Sequence, residues 1–176
     1  KESVYKKNAE DFITELDAKM FGTVLVARFG GDRLWDWHSS GTLQQQLNSA
    51  NASQQLSGWS ARMLPHRGKP IITYHRSWSY FADCFGLKVV GELEPKPGIE
   101  PTPGHLNNIV KIANEEKVKA ILIEPYYSKR YADHVASRSQ ASTVVVPLSV
   151  SQDASAKDYF SLIDTIVNRV SNALGK

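Results

Sequence analysis

Four short apolar runs alternate with helical patterns after Gly68, and this order leaves few folds open to the chain. The runs have strand character and cover about Ile71 to Tyr74, Leu87 to Val90, Ala120 to Ile123 and Thr143 to Val146. Helical spacing predicts helices over about Trp78 to Phe85, Pro103 to Glu115, Lys129 to Ser137 and Lys157 to Ala173. Strands that alternate with helices form a parallel sheet covered on both faces. We therefore predict an α/β fold with a mainly parallel four-stranded sheet flanked by helices.

The first 68 residues follow a different pattern. Apolar residues at helical spacing predict a lead-in helix over about Ser3 to Lys19. Gly22 to Phe29 is apolar and fits either a strand or a helix, whereas Thr42 to Leu56 is dense in Gln, Asn and Ser and favours a solvated helix and loop over core. We predict a lead-in helix and an irregular extra segment over residues 1–68 and an α/β lobe over residues 69–176, together forming one compact unit.

Composition and charge exclude several partners. The chain has 21 Lys and Arg against 18 Asp and Glu residues, and its basic residues are scattered instead of forming the stripe that follows a phosphate backbone. Nucleic acid is therefore not an expected partner. No run reaches the ~20 apolar residues of a membrane-spanning helix, and residues 1–12 lack the apolar core of a signal peptide. Lys1 stands inside a helical pattern without an initiator methionine, which favours a processed or shortened chain.

Two polar residues stand where predicted strands end. His75 follows the run that begins at Ile71, and Glu124 follows Ile123 and precedes Pro125. Ligands bind at the carboxyl ends of strands in open α/β sheets, so we expect the imidazole and the carboxylate to share a crevice. A neutral imidazole is a good ligand for zinc-like and manganese-like ions. For Glu124, a structural salt bridge or contacts with nearby amides are an equally favoured alternative.

The other candidate residues favour structural roles. His38 lies in the aromatic segment LWDWH, where packing is favoured over a third metal ligand, and His66, His105 and His134 are expected at hydrogen-bonded or surface positions. The sequence contains no GxxxxGK loop, GxSxG elbow, HExxH motif or CxxC motif. We therefore do not predict an enzyme.

Several segments, taken in order, resemble the carboxyl-terminal lobe of the zinc- and manganese-binding receptors of bacterial ABC importers. The segments are YKKNAEDFITELDA, ITYHRSWSYFADCFGLKVVG, EPTPGHL and VKAILIEPYYSKRYADHVA, and the similarity covers roughly residues 1–20 and 69–174. In that family, a histidine after a strand similar to ITYH is a metal ligand, and an aromatic-rich helix follows it. The resemblance implies that His75 is a ligand and that Glu124, in the family's Glu-Pro segment, lies at the edge of the site.

The same resemblance implies a fold and a function. The fold would be one lobe of a two-lobe metal receptor, so a missing amino-terminal lobe with further histidine ligands is an expected partner. The receptor would capture Zn or Mn as a transported ligand, without an organic cofactor, in the periplasm or another extracytoplasmic space. It would deliver the ion to the permease of an ABC importer. Acid should favour release, since a protonated imidazole cannot bind metal.

Three departures from the family pattern support a second interpretation. Arg76 stands where the family usually has Asp, which brings positive charge beside the site. The segment Pro147 to Val150 offers no carboxylate after the last strand, so Asp153 or Glu124 substitutes for it or the site is incomplete. The stretch from about Gly22 to Arg67 has no recognised counterpart. The alternative function is therefore a non-catalytic interaction or structural module that keeps the receptor fold with a degenerate metal site.

Overall fold

The computed structural model describes residues 1–96 and 98–175, which divide into two compact units, Lys1–Leu64 and Pro65–Lys176. Over the described residues of the first unit, all regular structure is helical. Its α-helices are α1 (Glu2–Phe21), α2 (Thr23–Phe29), α3 (Gly31–Ser39), α4 (Leu43–Ser49) and α5 (Gly58–Met63). The predicted lead-in helix is thus present as α1. The segment that fitted either a strand or a helix forms α2, because its Leu25 is completely buried within this unit.

The polar segment from Thr42 to Leu56 contributes more to the core than its composition predicts. Leu43 and Leu47 in α4 are buried, as is Ala52 after it. Residues four positions apart lie on one face of a helix, so two leucines are enough to anchor a helix whose other faces carry glutamines. The predicted helix is present and most of the segment is not buried, whereas its exclusion from the core was wrong for these three residues.

The second unit contains the predicted α/β arrangement. Its strands are β1 (Pro70–Thr73), β2 (Lys88–Glu92), β3 (Ala120–Ile123) and β4 (Ser142–Val145), and its helices are α6 (Ser79–Phe85), α7 (Pro103–Glu115), α8 (Arg130–Ala136) and α9 (Tyr159–Leu174). The strands form a parallel sheet in the order β2-β1-β3-β4. The prediction of a mainly parallel four-stranded sheet flanked by helices is confirmed for the part of the chain that the structure describes.

The core of this unit lies against the two central strands. All four residues of β3 are buried, as expected for a strand covered on both faces. Ile72 of β1 and Ile121 of β3 belong to a cluster of buried side chains that also includes Ile109 of α7 and Val135 of α8. Helix α9 packs on β3 and β4. This packing fixes the strand ends from which the candidate site is built.

The starts of α7 and α9 show how local sequence sets helix bounds. Thr102 precedes α7 and its hydroxyl accepts a hydrogen bond from the His105 amide at 3.2 Å, with Pro103 at the first helical position as predicted. Asp158 caps α9 through a reciprocal arrangement with Ser161, whose amide lies 2.7 Å from the Asp158 carboxylate. None of the described helices is both long and apolar enough to cross a membrane.

Loss of the α9 cap should destabilise the protein. Asp158→Ala is expected to lower the free energy of unfolding by about 1 kcal/mol, because the amides of the first turn lose their acceptor. Asp158→Asn is the matched control, since asparagine caps helices about as well as aspartate. Urea denaturation followed by circular dichroism measures both. Equal stabilities of the alanine and asparagine variants would show that the cap contributes nothing.

Candidate metal-binding site

Backbone pairing that continues beyond β1 and β2 places His75 beside Glu94. The Leu93 amide donates to the Thr73 carbonyl at 2.9 Å, and the Glu94 amide donates to the Tyr74 carbonyl at 3.1 Å. On the other side, the Tyr74 amide donates to the Leu122 carbonyl at 2.8 Å. Because the backbone segments after β1 and β2 are both hydrogen-bonded into the sheet, the side chains of His75 and Glu94 lie together at the carboxyl edge of the strands.

The two side chains are in direct contact. His75 Nε2 lies 2.6 Å from Glu94 Oε2, and the two side chains are 13% and 9% exposed. They line a cavity of about 640 Å³ whose walls are His75, Arg76, Ser77, Glu92, Glu94, Pro95 and Tyr127. An imidazole and a carboxylate that are nearly buried, yet border a cavity of this size, form an arrangement suited to holding a cation.

Aromatic rings support the histidine. The Tyr127 ring stacks on Tyr74, with centroids 4.1 Å apart and planes 10° apart, and meets the His75 ring edge-on at 5.3 Å. Burial, together with the negative charges of Glu124 and Glu94, raises the pKa of Tyr127. Tyr127 therefore keeps its proton at neutral pH and adds no negative charge to the cavity wall.

Arg76, which the sequence analysis identified as a departure, is paired at the cavity mouth. Its Nε lies 3.0 Å from Glu92 Oε1 and 3.3 Å from Oε2. The His105 ring contacts the backbone carbonyl of Glu92 at 2.9 Å, which helps to fix this residue. The Arg76 side chain is 86% exposed, so solvent screens its charge. The positive charge beside His75 is therefore offset by Glu92.

Glu124 occupies a different environment. It is completely buried, and neither carboxylate oxygen has a hydrogen-bond partner among the described residues. Its backbone carbonyl accepts from the Tyr127 amide at 3.2 Å, and its charge contributes to the raised pKa values of Tyr126 and Tyr127. The residues that line the cavity beside His75 do not include Glu124. The shared site of His75 and Glu124 stays a prediction.

The other candidates are engaged elsewhere. Asp153 accepts hydrogen bonds from Ser155, and its Oδ2 lies 2.6 Å from Arg169 Nη2; these contacts lower the pKa of the carboxyl to about 2. His38 packs against the rings of Phe21 and Trp35 at 5.9 Å, which agrees with the packing role favoured for it.

His66 does not lie at the surface. This residue is buried, and its Nδ1 has no partner among the described residues. Burial, followed by the nearby charge of Lys69, lowers the pKa of its imidazole. Within the short turn from Leu64 to His66, His66 is the buried residue.

Sequence reasoning did not identify Glu94. Glu94 follows β2 by two residues. Knowing that β2 is the neighbour of β1 would have placed it beside His75. Across residues 1–96 and 98–175, no group of three or more His, Cys, Asp or Glu side chains is arranged to hold a metal ion. The described part of the chain thus offers a pair of donors.

The fold is thus an α/β lobe with a cavity at the carboxyl edge of its parallel sheet. The sequence profile of the family described as "Zinc-uptake complex component A periplasmic" (ZnuA) matches residues 43–173, and the chain belongs to this family. Its members are solute-binding proteins and not enzymes. The resemblance found in the sequence is confirmed. The match begins at residue 43, so residues 43–67, for which no counterpart was recognised, are part of the family pattern.

Individual relatives are similar over part of their length. The chain is 25% identical over 118 residues to the high-affinity zinc uptake system protein ZnuA of Brucella suis, which covers 66% of this chain and 35% of that protein. It is 36% identical over 78 residues to ZnuA of Bacillus subtilis, which covers 44% of this chain and 24% of that protein. It is 24% identical over 128 residues to the manganese-binding lipoprotein MntA of Halalkalibacterium halodurans, which covers 67% of this chain and 43% of that protein. The chain therefore spans well under half the length of these relatives.

Solved structures share the fold. The solute-binding protein FpvC from Pseudomonas aeruginosa, in complex with Mn²⁺, matches with a TM-score of 0.53 and 24% identity over 74% of this chain and 55% of its own. A crystal structure of ZnuA matches with a TM-score of 0.53 and 21% identity over 81% of this chain and 55% of its own. The chain thus corresponds to about half of each solved protein.

Proposed function

We propose that this chain is part of an extracytoplasmic receptor that captures a transition-metal ion, Zn²⁺ or Mn²⁺, for a bacterial ABC importer. The observation that carries the proposal is the position of His75, whose nearly buried imidazole borders a cavity at the carboxyl edge of the sheet. Its place in a zinc-uptake family supports the same function. The proposed location is the periplasm or an equivalent space outside the cytoplasmic membrane.

The proposed mechanism is reversible binding of the metal ion, with no catalysed reaction. The neutral imidazole of His75 donates a ring lone pair to the ion, and acid favours release because protonation removes that lone pair. Zinc sites in proteins usually contain about four ligands, more than the described residues bring to this cavity. A second, amino-terminal lobe is proposed to supply the remaining ligands across the cavity, and the importer permease is the proposed partner for delivery.

A structural or interaction module with a degenerate site is the second candidate. Val146 directly follows β4 and is completely buried, so an apolar side chain stands just before the segment where the family commonly supplies its last carboxylate. This candidate predicts that the protein folds normally and binds neither ion specifically. Metal titration therefore separates the two functions.

Substitution of His75 tests the receptor function. Saturable binding of Zn²⁺ or Mn²⁺ is expected for the unsubstituted chain, and His75→Ala should weaken it by more than about tenfold, since a lost ligand costs more than a lost neighbour of a ligand. Isothermal titration calorimetry without a competing chelator, at protein concentrations high enough to detect a site with few ligands, gives the affinities. His134→Ala is the control for non-specific binding by histidine, because His134 lies outside the cavity that His75 borders. Affinity unchanged by His75→Ala, or no saturable binding at all, would contradict the proposal.

A further inference from the structure

The carboxylate that faces His75 comes from the wall next to β2 and not from the end of the last strand. We propose that Glu94 is the second metal ligand of this site, an inference that rests on the proposed function and assigns the carboxylate within it. Glu94 Oε2 already lies 2.6 Å from His75 Nε2, and both side chains border the same cavity. The sequence-based candidate, Glu124, lies outside that lining.

The distance between the two donor atoms suits an ion that replaces the hydrogen they share. Zinc binds imidazole nitrogen at about 2.0–2.1 Å and carboxylate oxygen at about 2.0–2.2 Å, so tetrahedral binding separates the two donors by about 3.3 Å. The observed separation is 2.6 Å. The pair must therefore open by about 0.7 Å to admit the ion. The neutral imidazole then carries its one hydrogen on Nδ1 instead of Nε2, and the Nε2 lone pair is free for the ion.

The protein holds this pair in place before an ion binds. The Glu94 amide is tied to the Tyr74 carbonyl, and the Leu93 amide before it is tied to Thr73, so the backbone next to the carboxylate is part of the sheet. The edge of the Tyr127 ring contacts His75 from the side. Ligands fixed in this way lose little conformational freedom on binding, which favours affinity.

Two other carboxylates near the strand ends, Glu92 and Asp153, already have cationic partners. Glu92, which lines the same cavity, is 3.0 Å from the Arg76 guanidinium. Asp153 lies 2.6 Å from the Arg169 guanidinium and accepts further hydrogen bonds from Ser155. Glu94 differs from both, because it contacts an imidazole, a group that can itself bind metal.

A carboxylate beside a histidine can instead orient the ring without touching the ion. In that arrangement Glu94 would accept the Nε2 hydrogen and the ion would bind Nδ1. The two roles predict different consequences for metal preference. Carboxylates suit Mn²⁺ and imidazoles suit Zn²⁺, so exchanging a ligand changes the preference, whereas removing an orienting group weakens both ions together.

The deciding experiment compares Zn²⁺ and Mn²⁺ affinities of Glu94→His, Glu94→Gln and Glu92→Gln, measured by calorimetry on the same chain. Glu94→His is expected to retain Zn²⁺ and lose Mn²⁺, raising the preference for Zn²⁺ by more than about tenfold. Glu94→Gln should weaken both ions. Glu92→Gln is the comparison within the cavity: it leaves Arg76 without its carboxylate partner, so it should weaken both ions alike and leave the preference unchanged. The visible absorption of bound Co²⁺ should change with Glu94→His, because one donor atom changes from oxygen to nitrogen.

The outcomes separate this inference from the proposed function. Binding that disappears in His75→Ala but is unchanged in Glu94→Gln would overturn the role of Glu94 and leave the receptor function standing. Equal weakening of both ions by Glu94→His, with an unchanged Co²⁺ spectrum, would also overturn it and would assign the orienting role. Failure of the unsubstituted chain to bind either ion would overturn both. Circular dichroism of each variant confirms that it is folded, and Glu94→Gln, nearly equal in shape to glutamate, provides the comparison if the histidine variant unfolds.

Discussion

Replacing Gly58 with alanine should lower the free energy of unfolding by about 3 kcal/mol, from overpacking and left-handed backbone strain together. Gly58 begins α5 with a φ of +68°, a conformation that residues with a side chain rarely adopt. A Cβ at this position would lie 2.1 Å from the carbonyl oxygen of Lys19. This neighbour is backbone of α1, so the clash cannot be relieved by rotating a side chain.

Gly30 is the matched control in the same helical unit. Its φ is +80°, but a Cβ there would have no other atom within 4 Å. Gly30→Ala should therefore cost only the backbone term, about 2 kcal/mol, because its ψ of 150° lies in an extended positive-φ region that residues with a side chain rarely adopt. Urea denaturation of both variants gives the comparison. Equal losses would show that the approach of α5 to Lys19 is loose and that the steric explanation is incorrect.

The sequence predicts the parts of the fold that depend on neighbouring residues. The bounds of α7 agree with prediction at both ends, because Thr102 and Pro103 mark its start through local hydrogen bonding and backbone geometry. β3 likewise runs over the predicted residues, Ala120–Ile123, since a continuous apolar run is typical of a strand buried on both faces. Such features need no knowledge of distant contacts.

Features that depend on tertiary packing were harder to predict. Gly22 to Phe29 has apolar residues compatible with two secondary structures, and burial of Leu25 within the helical unit accompanies the helix. The role of Glu94 depends on strand order, because its proximity to His75 follows from the pairing of β1 with β2. Sequence order alone does not state which strands are neighbours. The carboxyl edge was predicted as the site, whereas the carboxylate beside the histidine was not.

Substitution of Glu124 is expected to give the second large effect on stability. The same substitution tests whether Glu124 is the metal ligand predicted from the sequence. Transfer of an ionised carboxylate to a buried position without a partner costs several kcal/mol. Glu124 is 0% exposed, and its two carboxylate oxygens lack hydrogen-bond partners among the described residues. A carboxylate in this position destabilises the fold, so its presence favours a functional role over a structural one.

Glu124→Leu is therefore expected to raise the free energy of unfolding by about 1–4 kcal/mol, as replacement of buried charge by apolar volume does in other proteins. Glu124→Gln should gain less, because it removes the charge and keeps unpaired polar atoms. The metal affinity of the leucine variant then assigns the site. A loss of more than about tenfold, larger than an effect through a neighbouring group usually gives, would support Glu124 as a ligand. An unchanged affinity would leave the carboxylate role to Glu94. A leucine variant less stable than the unsubstituted chain would mean that the carboxylate has a partner, such as a buried water molecule or cation, that stabilises it inside the protein.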